Sequence, residues 1–318
     1  MAAKSKTNTI EARPGSAEWL LFAIIVAAGG SAFALIRGAI ESVPPAVVTV
    51  ARLWIGALFL LAVMAQAGRR LPRFWSPAGD KLPVSKEWQW MIAIGAIGYA
   101  FPFFVFPWAQ QKVDSGLAGI YMAFMPLWTI LLAHFFADET LGTGKIIGVA
   151  LGVLGVGILM GPGAIGAAGS ADFAAQAGLL GATLAYAAAA VATRLAPEIR
   201  PRPFAAGCQL SAAIVATPAL IITDPAVNEW TLSGVLCVLG LGLIPTGLGG
   251  FLLIIIIQRV GAGFMSFANY LVPVFAVVLG ALVFGETLPR EAFIAMAVII
   301  AGVAVSQWPG RQIKQPAP

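Results

Sequence analysis

The stretch FVFPWAQQKVDSG at 104–116 returns as FLLIIIIQRVGAG at 251–263, and the two together decide the fold. Sliding the sequence by 147 residues lays 91–163 on 238–310 without a gap. Phe104 meets Phe251, Gln111-Lys112-Val113 meets Gln258-Arg259-Val260, and Gly116 meets Gly263. Pro126 meets Pro273, Glu139-Thr140-Leu141 meets Glu286-Thr287-Leu288, and Pro162-Gly163 meets Pro309-Gly310. Apolar chains coincide by chance at Leu, Val and Ala, but not at a tripeptide such as Glu-Thr-Leu, two prolines and a continuous register. Upstream the match continues less cleanly at an offset of 157, where Arg37 meets Arg194 and Pro44 meets Pro201.

The composition says in what solvent this repeat lives. Of 318 residues 59% are hydrophobic and only 10% charged, with a mean hydropathy of +0.90. A soluble domain carries about a quarter charged residues. A membrane helix needs about 20 apolar residues, and in lipid every backbone N–H and C=O must be satisfied within the chain, so such runs are helical. The alternation of a β-barrel strand is absent. Ten spans are predicted, at 18–37, 46–67, 88–108, 116–136, 145–161, 175–194, 204–222, 231–257, 262–284 and 290–308.

Lysine and arginine fix the orientation, because cytoplasmic loops retain them. With the N-terminus inside, fifteen basic residues fall on the inner side, among them the five of loop 68–87, Lys145, Arg200, Arg202 and Arg259. Three, Arg37, Lys112 and Arg290, fall outside, and Arg52 lies within the second span. Both termini are therefore expected in the cytoplasm. The polar segment before the first span lacks a cleavage motif and reads as a retained anchor. The net charge of +5 is spread over short loops and forms no continuous face, which excludes nucleic acid as a partner. Cys208 and Cys237 lie inside apolar runs and read as small packing residues, not a disulfide framework.

The expected fold class is an all-α membrane protein with ten transmembrane helices arranged as two inverted five-helix repeats. The repeats span 18–161 and 175–308, flanked by cytoplasmic tails at 1–17 and 309–318. Five spans per repeat is an odd number, so the second repeat enters the membrane upside down. Inverted repeats of this kind enclose a site near the midplane in secondary transporters.

The residues carrying the repeat also carry a likeness. Two halves of five helices, each with a mid-helix proline, Glu-Thr-Leu and a Gly-rich last helix, resemble the EamA-type drug/metabolite transporter superfamily. Ile244-Pro-Thr-Gly-Leu-Gly-Gly-Phe251, followed by Gln258-Arg259-Val260-Gly261-Ala262, is close to that family's second-repeat pattern. Arg52, seven residues beyond Pro45, matches the family's arginine in the second helix. Gly29-Gly30-Ser31 departs from the Trp-Gly usual in the first helix. Within the superfamily the chain is similar to the YddG group of bacterial aromatic amino-acid exporters. The resemblance implies a multi-pass inner-membrane carrier whose third, fourth, eighth and ninth helices line a central cavity.

On those helices the candidate substrate-binding residues are Tyr99, Tyr121, Met125, Trp128, Thr246, Asn269 and Tyr270, and the candidate kinks are Pro126 and Pro273. Each proline removes one helical hydrogen bond, which is tolerated where a cavity or neighbour satisfies the freed carbonyl. Arg52 reads either as a snorkelling, loop-bracing residue or as the partner of a substrate carboxylate. His134, at a helix end near Asp138, reads as structural. All fourteen acidic residues fall in tails, loops or helix ends, so the membrane-embedded glutamate of the small multidrug carriers has no counterpart. An intramembrane carboxylate is the usual proton relay, and its absence favours uniport or exchange.

The sequence offers no metal ligands, no catalytic constellation and no cofactor-binding loop, and it lacks the Gly-rich Lys-Ser/Thr motif of an ATPase. A membrane-embedded enzyme would need paired catalytic groups in the spans. The alternative within transport is a proton-coupled exporter of drugs or organic cations. The expected partners are a small-molecule substrate and the bilayer. Gly148, Gly152, Gly155 and Gly157 suit either close packing within one subunit or a dimer face, so a monomer and a homodimer both remain open.

Overall fold

The computed structural model describes residues 15–76, 82–137, 139–161, 171–221, 223, 229–260, 262–265 and 267–307. The tails at 1–14 and 308–318, together with Asp138 and the paired Pro-Gly motifs, lie outside the described residues. Among the described residues the regular secondary structure is helical, apart from one isolated bridge between Trp75 and Val84 in the long second loop.

Ten helices follow in chain order: α1 Ser16–Ile40, α2 Pro45–Gln66, α3 Lys86–Ala109, α4 Ser115–Phe136, α5 Thr143–Met160, α6 Ala171–Leu195, α7 Pro201–Leu220, α8 Leu232–Val260, α9 Ala268–Phe284 and α10 Arg290–Gln307. Nine are long and apolar enough to cross a membrane, and α9, at 17 residues, falls just short. A separate turn, Ala262–Met265, precedes α9, so the single predicted span 262–284 is divided. Local chemistry sets the ends. Pro45 and Pro201 occupy first turns, where the missing N–H has no helical partner to lose. Thr231 caps α8 by accepting from the Gly234 N–H. Gly285, at φ 64°, closes α9 in the left-handed conformation.

Two helices widen in the middle. Residues Ala96–Ala100 of α3 and Gly242–Leu248 of α8 are π-helical, with Phe101 N bonded to Ala96 O and Gly249 N to Ile244 O. At the 147-residue offset these two segments coincide. α4 is broken at Ala123–Phe124, where 3₁₀-type bonds from Ala123 N to Ile120 O and Phe124 N to Tyr121 O bridge the gap. Pro126 then stands in the first turn of the resumed helix. Pro273 instead sits inside continuous α9, so the two prolines occupy different local contexts.

The principal packing partners come in matched sets. α1 packs on α8 and α9, as α6 packs on α3 and α4; α2 packs on α8 as α7 packs on α3. α2 with α7, α4 with α9, and α5 with α10 complete the set. The last pair meets backbone to backbone. A Cβ on Gly148 would stand 2.5 Å from Gly302 O, and one on Gly302 would stand 2.7 Å from Gly148 O. Gly152 and Gly155 likewise face Leu127 and Ile299, whereas nothing stands within 4 Å of a Cβ on Gly157. Three of the four glycines are therefore used within the chain. The outer surface carries exposed Leu58, Leu154, Leu236, Leu282 and Ile294, as an element solvated by lipid tails should.

Candidate functional site

Between the two sets of helices lies a cavity of about 230 Å³. α1 supplies Gly29 and Phe33, α2 supplies Arg52, α3 Phe106, α4 Met122, α6 Tyr186, α8 Pro245, and α9 Asn269 and Pro273. Among the described residues no aspartate or glutamate is part of this lining. Phe33 packs edge-on against Phe106 at 5.6 Å, and the mutually tilted rings of Phe106 and Tyr186 lie 6.2 Å apart, giving one wall an aromatic face.

Arg52 is held by a short chain of hydrogen bonds that begins at a proline. Pro245 has no N–H to offer the Leu241 carbonyl one turn before it. The Thr246 hydroxyl donates to that carbonyl at 2.9 Å, and its oxygen accepts from Arg52 Nε at 2.8 Å. The guanidinium carbon lies 3.6 Å from the centre of the Phe103 ring, a cation–π contact. The whole residue is 6% exposed. Among the described residues its two terminal nitrogens have no hydrogen-bond or ion-pair partner.

Pro273, inside continuous α9, offers no N–H to the carbonyl of Asn269 one turn earlier. Met122 coincides with Asn269 at the 147-residue offset. Both line the cavity.

The other candidates from the sequence are placed as follows. Thr246 stands behind Arg52. Tyr121 is fully buried in the core, its hydroxyl donating to Gln176 Oε1 at 2.6 Å. Trp128 and Tyr270 pack beside Ile120, Phe124 and Val277, towards α10. Tyr99 lies against α7 and meets Phe103 edge-on at 5.8 Å. Met125 opens the second part of α4, half-buried. Arg52, Asn269 and Pro273 are thus the expected residues that meet in one cavity, with Thr246 one contact away. Sequence reasoning missed Tyr186, Phe106 and Phe33. Tyr186 is the lone polar side chain in the run Ala185–Ala190, and that isolation was the available signal.

Charged groups gather at the helix ends. Glu286 of the second Glu-Thr-Leu accepts from the backbone N–H groups of Ser115 and Gly116, both at 2.9 Å, and so caps α4 from the opposite half. Asp114, the residue at the capping position itself, makes no such bond. Partial burial and then the nearby Glu286 charge push its carboxyl above the usual carboxylate range, against the pull of Arg37. Glu139 of the first Glu-Thr-Leu pairs with Lys145 at 3.1 Å and Arg194 at 3.0 Å. Its backbone carbonyl lies 2.7 Å from His134 Nδ1. Among the described residues no three His, Cys, Asp or Glu side chains gather to hold a metal.

Comparison with known proteins places this geometry. The chain is 28% identical over 286 residues to the aromatic amino acid exporter YddG of Ancylobacter novellus, covering 87% of this chain and 92% of that one. It is 26% identical over 290 residues to a probable terminal-alkyne amino-acid exporter of Streptantibioticus cattleyicolor, covering 90% and 92%. The uncharacterized transporter YdfC of Bacillus subtilis is 25% identical over 290 residues, covering 88% and 87%. A solved crystal structure, 22% identical, superposes with a TM-score of 0.63 over 92% of this chain and 98% of its own, and so shares the fold. The EamA-like transporter family matches twice, at residues 17–161 and 174–307, one match on each half of the matched packing, and the chain belongs to that family.

Proposed function

We propose that this protein exports small metabolites, amino acids with aromatic or apolar side chains above all, across a bacterial inner membrane. The observation that carries the reading is the cavity enclosed by helices of both halves, with an aromatic wall and a few polar groups. Its volume, about 230 Å³, falls below the roughly 300–1,000 Å³ of pockets for drug-sized molecules, which favours single metabolites over multidrug substrates. Two relatives named as amino-acid exporters support the same class. With no carboxylate in the lining, uniport or exchange is the simplest coupling.

Asn269 and Tyr186 are the neutral hydrogen-bonding side chains of the lining. Removing one such group costs on the order of 1–3 kcal/mol when its partner is left unpaired, several-fold to about a hundredfold in affinity. Asn269→Ala should therefore weaken uptake of labelled L-phenylalanine into proteoliposomes at equal pH on both sides. Leu282→Val, on the lipid-facing surface, should leave it unchanged. Equal transport by Asn269→Ala, Tyr186→Phe and the parent protein would mean that the substrate binds elsewhere.

The same reading makes the two halves inverted repeats of five spans that alternate access to the cavity, with both termini in the cytoplasm. Its support is the matched packing of the helices, the double family match and the excess of basic residues on one side. Thr140 and Thr287 are equivalent and exposed. Single cysteines at these two positions, in a background lacking Cys208 and Cys237, should react with an impermeant thiol reagent from opposite faces. Reaction of both from the periplasm contradicts the inversion.

A further inference from the structure

We infer that Arg52 is the carboxylate-binding pole of the central cavity. On this inference the substrates are small monocarboxylates with an apolar or aromatic body, selected by the carboxylate and not by an ammonium group. The inference rests on the transport reading above and sharpens it to a chemical class.

A guanidinium removed from water needs a compensating charge or a full set of acceptors. Among the described residues the contacts of Arg52 supply neither. Nε has the Thr246 hydroxyl and one face has the Phe103 ring, but both are neutral, and the terminal nitrogens are unpartnered among the described residues. The ion pairs found there, Lys145 and Arg194 with Glu139 and Arg259 with Glu18, all lie at helix ends. Nor does the side chain reach for the surface. Arg52 stands seven residues into its helix, about 10 Å from Pro45 at 1.5 Å per residue. A snorkelling arginine extends towards the interface, whereas this one is turned inward and pinned on Thr246, a residue of the opposite half.

The pin also fixes what the free end can do. With Nε engaged, the remaining donors of the planar fork are the two terminal nitrogens, a geometry that matches the two oxygens of a carboxylate. Among the described residues the cavity lining has no negative charge to answer this positive one. For an ammonium group the described lining offers neutral acceptors, the Asn269 amide and the Tyr186 hydroxyl. The charge on the lining is therefore one-sided, and the carboxylate is the handle.

Counterflow in proteoliposomes at equal pH, with four probes sharing one phenyl body, tests this. L-phenylalanine and phenylpyruvate keep the carboxylate; L-phenylalaninamide and phenethylamine do not. The first two should exchange at least about tenfold better than the last two, the factor that loss of one charge-assisted contact brings. Arg52→Gln should bring the acids down to the level of the amide, while Arg52→Lys, which keeps a cation, should retain part of the preference. Each comparison is a ratio within one protein preparation, so expression level does not enter. Should Arg52→Gln fail to fold, the ratios in the parent protein and in Arg52→Lys decide the matter. Amide or amine moved as well as the acids overturns the inference while leaving export of such bodies intact. Movement of L-phenylalanine without phenylpyruvate overturns the claim that the ammonium is dispensable. Flux of none of the four overturns the transport reading, and this inference with it.

Discussion

Gly302→Val should leave little correctly folded protein. A Cβ at this position would stand 2.7 Å from the Gly148 carbonyl oxygen, 3.1 Å from Leu151 Cβ and 3.2 Å from Gly152 N. Two of those three atoms are backbone, so no rotamer change relieves the contact, and α5 and α10 would have to separate. Helix pairs in lipid are held mainly by close van der Waals packing, and overpacking a tight site costs about 1–3 kcal/mol even where side chains can adjust. Here about 3 kcal/mol or more is expected, read as a lower melting temperature in detergent and a loss of the monodisperse peak on size exclusion. Gly157→Val is the control, because nothing stands within 4 Å of its Cβ. A parent-like melting curve for Gly302→Val would show that the seam between these helices is looser than described.

Glu286→Ala should be nearly as severe, for an electrostatic reason. It would strip two partly buried backbone N–H groups, on Ser115 and Gly116, of acceptors at 2.9 Å. Hydrogen bonds to a charged group contribute about 1.5–3 kcal/mol each, and a carboxylate at a helix N-terminus gains further from the helix dipole. A loss of about 3 kcal/mol is expected, with Glu286→Gln, which keeps one carbonyl acceptor, falling between. Parent-like melting of Glu286→Ala would mean that water replaces the cap without penalty. The neighbouring Asp114 gives this region a pH dependence. Its carboxyl is raised in the folded protein, so the folded state holds the proton more tightly than the unfolded chain. Stability from this group is present below the ordinary aspartate range and is lost as pH rises through its raised value. Asp114→Asn should flatten that part of the melting-temperature profile.

Much of this architecture was legible because lipid imposes simple rules. Long apolar runs such as 46–67 and 290–308 could only be helices, and their ends in the structure fall within a few residues of the predicted ones. Division of the 262–284 span escaped, since hydropathy does not register a turn such as that at Phe267 in a continuous apolar run. The π-helical widening of α3 and α8 escaped for the same reason. The Glu-Thr-Leu pair stood out as a repeat, but its use was not legible. Glu286 caps a helix 170 residues away in sequence, and only the folded arrangement brings those groups together. For the cavity, rare residue types were informative: a charge in a span at Arg52, an amide at Asn269 and a proline at Pro273. Aromatics were not. In a helix apolar on all sides, periodicity cannot tell the lining face from the packing face, and so Tyr121 and Trp128 were named from the fourth helix while Tyr186, on the sixth, was not.

The glycine seam between α5 and α10 carries a mechanical consequence. Side-chain interfaces yield by switching rotamers, but Gly148 and Gly302 present carbonyls to each other with nothing between them that can flex. Sliding one half across the other would drive main chain into main chain, whereas tilting about the line of contact would not. In the proposed transport cycle, an opening of the cavity that keeps this seam intact would turn about it as pages turn, with the largest excursions at the helices farthest from α5 and α10.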